Sequence, residues 1–254
     1  MTPGEQLAVL AAGLGAGVLT STVGVASLLS FPVLVAVGLP PVVANVSNTV
    51  GLIPAGLSGS FGYRTELRAH PRVSRIVLGC CSAGAVAGAG LLLAADPDVF
   101  EVVVPWLILF ACLLVGIQPR LSRWLAGRRR GAPSTPARVV PSRTTTLFAT
   151  LTGVYGGYFG AGSGVMMVAV LALGLDFNLR VINALKTLAV LAGNLTAGAV
   201  FVLVADLDWG AVLLLAAGSV VGGYVGARVG RRLPPDVFRW LVVLAGLVAA
   251  LVLL

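Results

Sequence analysis

The chain contains a single lysine, and it stands inside an apolar run. Lys186 lies within NLRVINALKTLAVLAGNLTAGAVFVLVA, residues 178–205, about two helical turns from the start of that stretch. If the stretch is helical, Asn183, Lys186, Thr187 and Asn194 fall at spacings of three, four, seven or eight residues and share one face. An ammonium inside a bilayer is costly even on the gentler insertion scales, so it requires a partner or a task. A cation flanked by amides and hydroxyls suits a small oxyanion. Two serines extend the set. Ser27 closes the small-residue break TSTVGVAS at 20–27, and Ser163 sits in GAGSG at 160–164. Each stands where a short helix would begin, and a helix N-terminus offers unpaired N–H groups and a partial positive charge. Gly162 and Gly164 would let that backbone approach a ligand closely. Asn45, Asn48 and Thr49 supply further neutral donors from an earlier helix.

Every one of these residues also has a plainer use. Lys186 can pair with Asp176 or reach the nearer interface along its own stem. Asn and Thr in membrane helices bond to neighbouring helices. Ser27 and Ser163 can serve as N-caps, and glycines can be packing contacts. His70 is a lone loop histidine and is assigned no role. No catalytic residue, metal ligand or cofactor is expected. There are no paired carboxylates within the apolar runs, no HExxH, no Ser–His or Cys–His arrangement and no GxxxxGK[ST].

The elements that must position this set are membrane spans. Hydrophobic residues make up 58% of the chain and charged ones 10%, and several apolar runs exceed the length that crosses a hydrocarbon core. Frequent glycine and scarce aromatics fit a polytopic bundle. The net charge of +8 is read as loop arginine on the cytoplasmic side, and no fold signature for nucleic acid accompanies it. Cys80, Cys81 and Cys112 fall in apolar runs without metal spacing and are read as small packing residues. The N-terminus carries no basic region of the signal-peptide kind.

In chain order, short helices are expected at 7–19 and 28–37, a polar helix at 41–63, and spans at 73–95 and 100–118. Residues 119–143, rich in Arg, Pro, Ser and Gly, read as a basic linker that is flexible and solvated. The pattern then restarts, with short helices at 144–158 and 165–173, the lysine helix at 178–205, and spans at 209–227 and 238–254. The division is thus a first transmembrane repeat at 1–118, a cytoplasmic linker at 119–143 and a second repeat at 144–254. Gly38 matches Gly174 at an offset of 136, and Asn45, Asn48 and Thr49 match Asn183, Lys186 and Thr187 at an offset of 138. Each short pair is too long for one straight crossing, so it reads as a broken or re-entrant hairpin with an even number of crossings. Three full spans follow each hairpin. Repeats with an odd number of crossings must be inverted relative to one another. Arginine agrees. All sixteen arginines fall at 64–75, at 119–143, at Arg180 or at 228–239, which inversion places on one side. That side is cytoplasmic by the positive-inside rule, with both termini outside. The fold class expected is an all-α polytopic membrane protein of two inverted-topology repeats.

The alternation of short helix, small-residue break, short helix and polar helix resembles the sulfite exporter TauE/SafE family. The segments that carry the likeness are VGVASLLSFPVLVAVGLPPVVANVSNT in the first half, and YFGAGSGVMMVAVLALGL with NALKTLAVLAGNLTAGAVFVLVADLDW in the second. Val25 and Ala26 depart from it, standing where members of that family carry glycines. The resemblance implies a permease for sulfite, sulfonates or related small organic anions, driven by an ion gradient. The reading is therefore a secondary transporter in a bacterial cell membrane, working by alternating access on a small anion and with a homodimer as one possible assembly. An anion channel and a non-transporting scaffold subunit are the alternatives.

Overall fold

Helix ends fall where local chemistry starts or stops a helix. The computed structural model describes residues 1–22, 24–130, 138–229 and 235–253. All twelve regular elements among the described residues are helices. The first half contains α1 (Pro3–Thr22), α2 (Ser27–Ala36), α3 (Pro41–Gly51), α4 (Ile53–Gly62), α5 (Arg64–Ala69), α6 (Pro71–Ala94) and α7 (Pro97–Arg130). The second contains α8 (Arg143–Tyr158), α9 (Ser163–Gly174), α10 (Leu179–Val204), α11 (Trp209–Val229) and α12 (Pro235–Leu253). Pro41 and Pro71 open α3 and α6, where a missing N–H costs nothing. Ser142 and Asn178 cap α8 and α10 by accepting from the N–H groups of Thr145 and Val181. Asp208 does the same for α11, accepting from Ala211 N–H at 2.8 Å.

Among the described residues, four helical stretches are long and apolar enough to cross a bilayer: Pro71–Ala94, Pro97–Arg120, Leu179–Val204 and Trp209–Gly226. Large apolar side chains such as Val102, Leu203 and Leu251 point outward. In water these would be liabilities; against lipid they are the solvated face. The chain is an all-α polytopic membrane protein.

The short helices do fold back on one another. A Cβ placed on Gly15 of α1 would come within 2.6 Å of Leu29 on α2, although fourteen residues separate them. A Cβ on Gly174, at the end of α9, would collide with Thr145 near the start of α8. Each half therefore begins with a helical hairpin. Its first arm in the first half is longer than the 7–19 expected, because α1 spans twenty residues.

Three other segments differ from expectation. Residues 41–63 do not form one helix. Pro54 has no N–H to offer the Val50 carbonyl, and Leu52 between α3 and α4 relaxes to φ −94° and ψ −3°. The basic stretch after it includes the short helix α5, pinned to α10 by an ion pair between Glu66 and Arg180. Residues 119–130, read as the start of a flexible linker, continue α7 as helix. The one backbone bond lost at Pro119 is outweighed by a following sequence rich in Leu, Arg and Ala, all strong helix formers. Residues 131–137 of the linker and 230–234 of the second basic loop lie outside the described residues.

Two glycine seams hold the hairpins to the bundle. Gly13 and Gly17 of α1 meet α11 at Leu215 and Ser219, and Gly218 and Gly222 return the contact at Leu10 and Leu14. Gly153 and Gly157 of α8 meet α6 at Cys81 and Ala85, and Gly84 and Gly88 return it. The backbones approach so closely that no Cβ fits, which is how membrane helices gain packing without a hydrophobic drive. Contacts advance together along both helices of each seam, so α1 runs parallel to α11 and α8 parallel to α6. The first helix of each half thus packs on a long helix of the other, α1 on α11 and α8 on α6, while α7 packs on α12.

Candidate functional site

The tips of the two hairpins meet in the interior. Gly24 and Gly160 turn them, at φ +83° and +81°, in the left-handed region that favours glycine. Beyond that the tips diverge. Gly162 is left-handed as well, at φ +78°, whereas its counterpart Ala26 is right-handed at φ −50°. Gly164 seats against the Gly24 carbonyl, where a Cβ would stand 2.6 Å away. On its other side Gly24 faces Lys186, and a Cβ there would lie 2.9 Å from Nζ. The ammonium is therefore held against the tip of the first hairpin while its own helix belongs to the second half.

A cavity of about 30 Å³ opens at this junction. That is room for about two waters or one small polyatomic ion. Its lining is matched across the halves. Gly24 and Gly160, and Ser27 and Ser163, stand at the hairpin offset of 136; Leu52 and Val190, and Gly56 and Asn194, stand at the helix offset of 138. Thr20, Lys186 and Thr187 complete the polar part of the wall. Lys186 supplies its only charge.

Lys186 is 3% exposed. Among the described residues its ammonium has no hydrogen bond and no ion pair, and the side chains of Ser27, Ser163 and Asn194 have no hydrogen bond either. Asp176, the carboxylate nearest in sequence, is engaged by Arg138 through the backbone N–H at 2.8 Å and the guanidinium at 3.4 Å. The plainer uses are thus absent: Lys186 neither pairs with Asp176 nor reaches the surface. Ser27 and Ser163 are the first helical residues, and the positions before them, Ala26 and Gly162, make no side-chain cap.

The remaining residues of the expected set lie off the cavity, and Thr187, which lines it, has its hydroxyl proton engaged. Asn45 donates from Nδ2 to the Tyr158 carbonyl at 2.9 Å, tying α3 to the second hairpin. Asn48 accepts from the Ser30 hydroxyl at 2.5 Å, tying α3 to the first. Thr49 donates to the Asn45 carbonyl at 3.0 Å, and Thr187 donates to that of Asn183 at 2.8 Å. Asn183 is half-buried and does not line the cavity. Gly162 faces Ala111 of α7, and Gly164 serves the contact between tips. The sequence singles out the break at 160–164, which holds Gly160, but does not mark Gly24, Thr20, Leu52, Val190 or Gly56 as cavity residues. The repeat offsets alone would have picked out Gly24 and Gly160 as a matched pair beside the serines, and Pro54 was a visible signal of the break that brings Leu52 and Gly56 to the cavity.

A second cavity, of about 20 Å³, shares Ser163, Val190 and Asn194 with the first and extends between α6, α8, α9 and α10.

Comparison with known proteins adds three findings. The profile described as Sulfite exporter TauE/SafE matches residues 9–253. A "Probable membrane transporter protein" of Haemophilus influenzae is 26% identical over 226 residues, 89% of this chain and 85% of its own length. The "Probable membrane transporter protein ORF9" of a Sinorhizobium species is 25% identical over 240 residues, 94% of this chain and 88% of its own. No solved structure matches the chain.

Proposed function

The chain belongs to the sulfite exporter TauE/SafE family and is a membrane transporter, and on that premise we propose that it carries a small anion held between Lys186 and the two hairpin tips. Sulfite or a related organosulfur or organic anion is the expected cargo. One observation carries the reading: a buried ammonium with no partner among the described residues faces a cavity at the meeting point of two helix N-termini. An unpaired buried cation is unfavourable, and an anion in the cavity would relieve it. The N-termini of α2 and α9 would add partial positive charge at the same point, and Thr187 and Asn194 neutral dipoles.

The matched lining supports alternating access. Equivalent positions of two inverted halves surround the anion, so rocking one half against the other would close one approach and open its counterpart. In this scheme the arginine-bearing ends face the cytoplasm of a bacterial cell and both termini lie outside. No carboxylate lines the cavity, so a coupled proton would travel on the substrate or on Lys186.

Thermal unfolding of the purified protein against sulfite, thiosulfate, sulfate, sulfoacetate and acetate tests the site. An anion binding only the folded state raises the melting temperature, with stabilisation of about 2.7 kcal/mol at a hundred times Kd. The rise should appear in wild type and shrink to a small fraction in Lys186→Met. No shift with any anion in wild type would sink the anion site.

A further inference from the structure

We propose that the second cavity is a tail pocket of the same site and that Gly193 and Gly156 set the size of the tail. This rests on the reading of the Lys186 cavity as an anion site and narrows its cargo to a short-chain organic oxyanion. The two cavities share Ser163, Val190 and Asn194, so a molecule with its charged head at Lys186 has the second space directly beside it. That space has no charged lining. The Thr152 hydroxyl is spent on the Phe148 carbonyl at 2.8 Å, and the Cys81 thiol points to the Ala149 carbonyl at 3.8 Å. Met167 and Ala189 are apolar, and Asn194 sits at the junction with its amide unengaged. Such a lobe receives an apolar group.

Its room comes from missing side chains. A Cβ on Gly193 would meet nothing within 4 Å, and one on Gly156 only the Ser163 Cβ at 3.9 Å. At the offsets of 138 and 136 the matching positions of the first half are Ala55 and Thr20, both buried and both carrying the side chain that the glycines lack. There Gly51 is backed by the Leu215 side chain, which a Cβ would meet at 2.8 Å. Side chains thus stand in the first half where the second has none. A centred inorganic ion has no use for a one-sided lobe, whereas an anion with a head and a tail does. A volume of about 20 Å³ takes one or two carbons.

The test is binding of sulfite, methanesulfonate, ethanesulfonate and butanesulfonate to wild type, Gly193→Val and Gly156→Ala, read as melting-temperature shift and as uptake into proteoliposomes. In wild type affinity should rise about fourfold per carbon up to ethanesulfonate, the gain of a buried methylene, and fall at butanesulfonate. Gly193→Val should abolish that gain while leaving sulfite affinity unchanged. Should Gly193→Val fail to fold, Gly156→Ala carries the same expectation at the second carbon. The tail pocket is overturned, with the anion site intact, if tailed anions bind no tighter than sulfite or if the variants weaken all four anions equally. Absence of binding by every anion in wild type overturns the site and the pocket together.

Discussion

The two halves use the same positions for opposite purposes. In the first, Asn48 is bonded to Ser30 and Asn45 to the Tyr158 carbonyl, so α3 is fastened to both hairpins. In the second, the residue matching Asn48 is Lys186, which has no such partner among the described residues and faces the cavity. The polar helix of the first half is broken at Leu52 by Pro54, whereas α10 runs unbroken through the matching position, Val190. One hairpin tip has a single left-handed glycine, Gly24, and the other has Gly160 and Gly162. The difference assigns labour. On the proposed reading the first half supplies a frame and part of the cavity wall, and the second supplies the charge and the adjoining space.

Lys186→Met is the sharpest way to break that contrast. It keeps length and volume and removes the charge. Loss of a charge-assisted contact to a buried anion should cost about tenfold to a hundredfold in affinity, and flux in proteoliposomes should fall at least as far. The ligand-free protein should melt no lower than wild type, because an unpaired buried ammonium is replaced by a thioether that wants no partner. A lower melting temperature with unchanged flux would make Lys186 part of the frame.

Two glycines separate strain from site. Gly24 and Gly38 both sit at positive φ, +83° and +91°. Alanine at either should cost about 1 kcal/mol of stability from the left-handed backbone, measured by thermal unfolding. Only at Gly24 would the new methyl also press on Lys186, since Gly38 has open space around it. Anion binding should fall in Gly24→Ala and hold in Gly38→Ala. Equal binding by both would put the first hairpin tip outside the site.

The frame has its own test in Asn48→Ala. Removing the acceptor at 2.5 Å from the Ser30 hydroxyl should lower stability by about 1 kcal/mol. Anion affinity should change little, because Asn48 does not line the cavity. A large loss of affinity without a loss of stability would put Asn48 in the site after all.

These residues also mark where the sequence stopped being legible. Composition and apolar length gave the fold class, because lipid leaves few ways to satisfy a backbone. Lys186 was legible for the same reason: a lone charge in an apolar run is expensive anywhere. The partition of Asn45, Asn48 and Thr49 from the cavity was not, because an amide on a polar helix face reads alike whether it binds a ligand or a neighbouring carbonyl. Nor was the break at Leu52 assigned, although Pro54 announced it, since proline is tolerated in membrane helices often enough to be passed over. The second cavity had no signal at all. It is the absence of a methyl at Gly193 where Ala55 has one, and a glycine in a membrane helix otherwise reads as packing.

The smallest effect is expected at Asp176, and it bears on the alternative use of Lys186. Arg138 and Asp176 are partly exposed and sit at 3.4 Å from each other, an arrangement that ordinarily contributes about 1 kcal/mol or less. Asp176→Asn keeps the shape and acceptor oxygen for the Arg138 N–H while removing the charge. Flux and anion affinity should match wild type, with melting temperature lowered only slightly. The substitution matters because a carboxylate in the loop before α10 could still set the field at Lys186 through low-dielectric protein. If Asp176→Asn tightened anion binding severalfold, the carboxylate would be competing with the substrate for the ammonium in some other state of the carrier. Unchanged binding would leave Lys186 without a protein counter-ion and make the transported anion the charge that balances it.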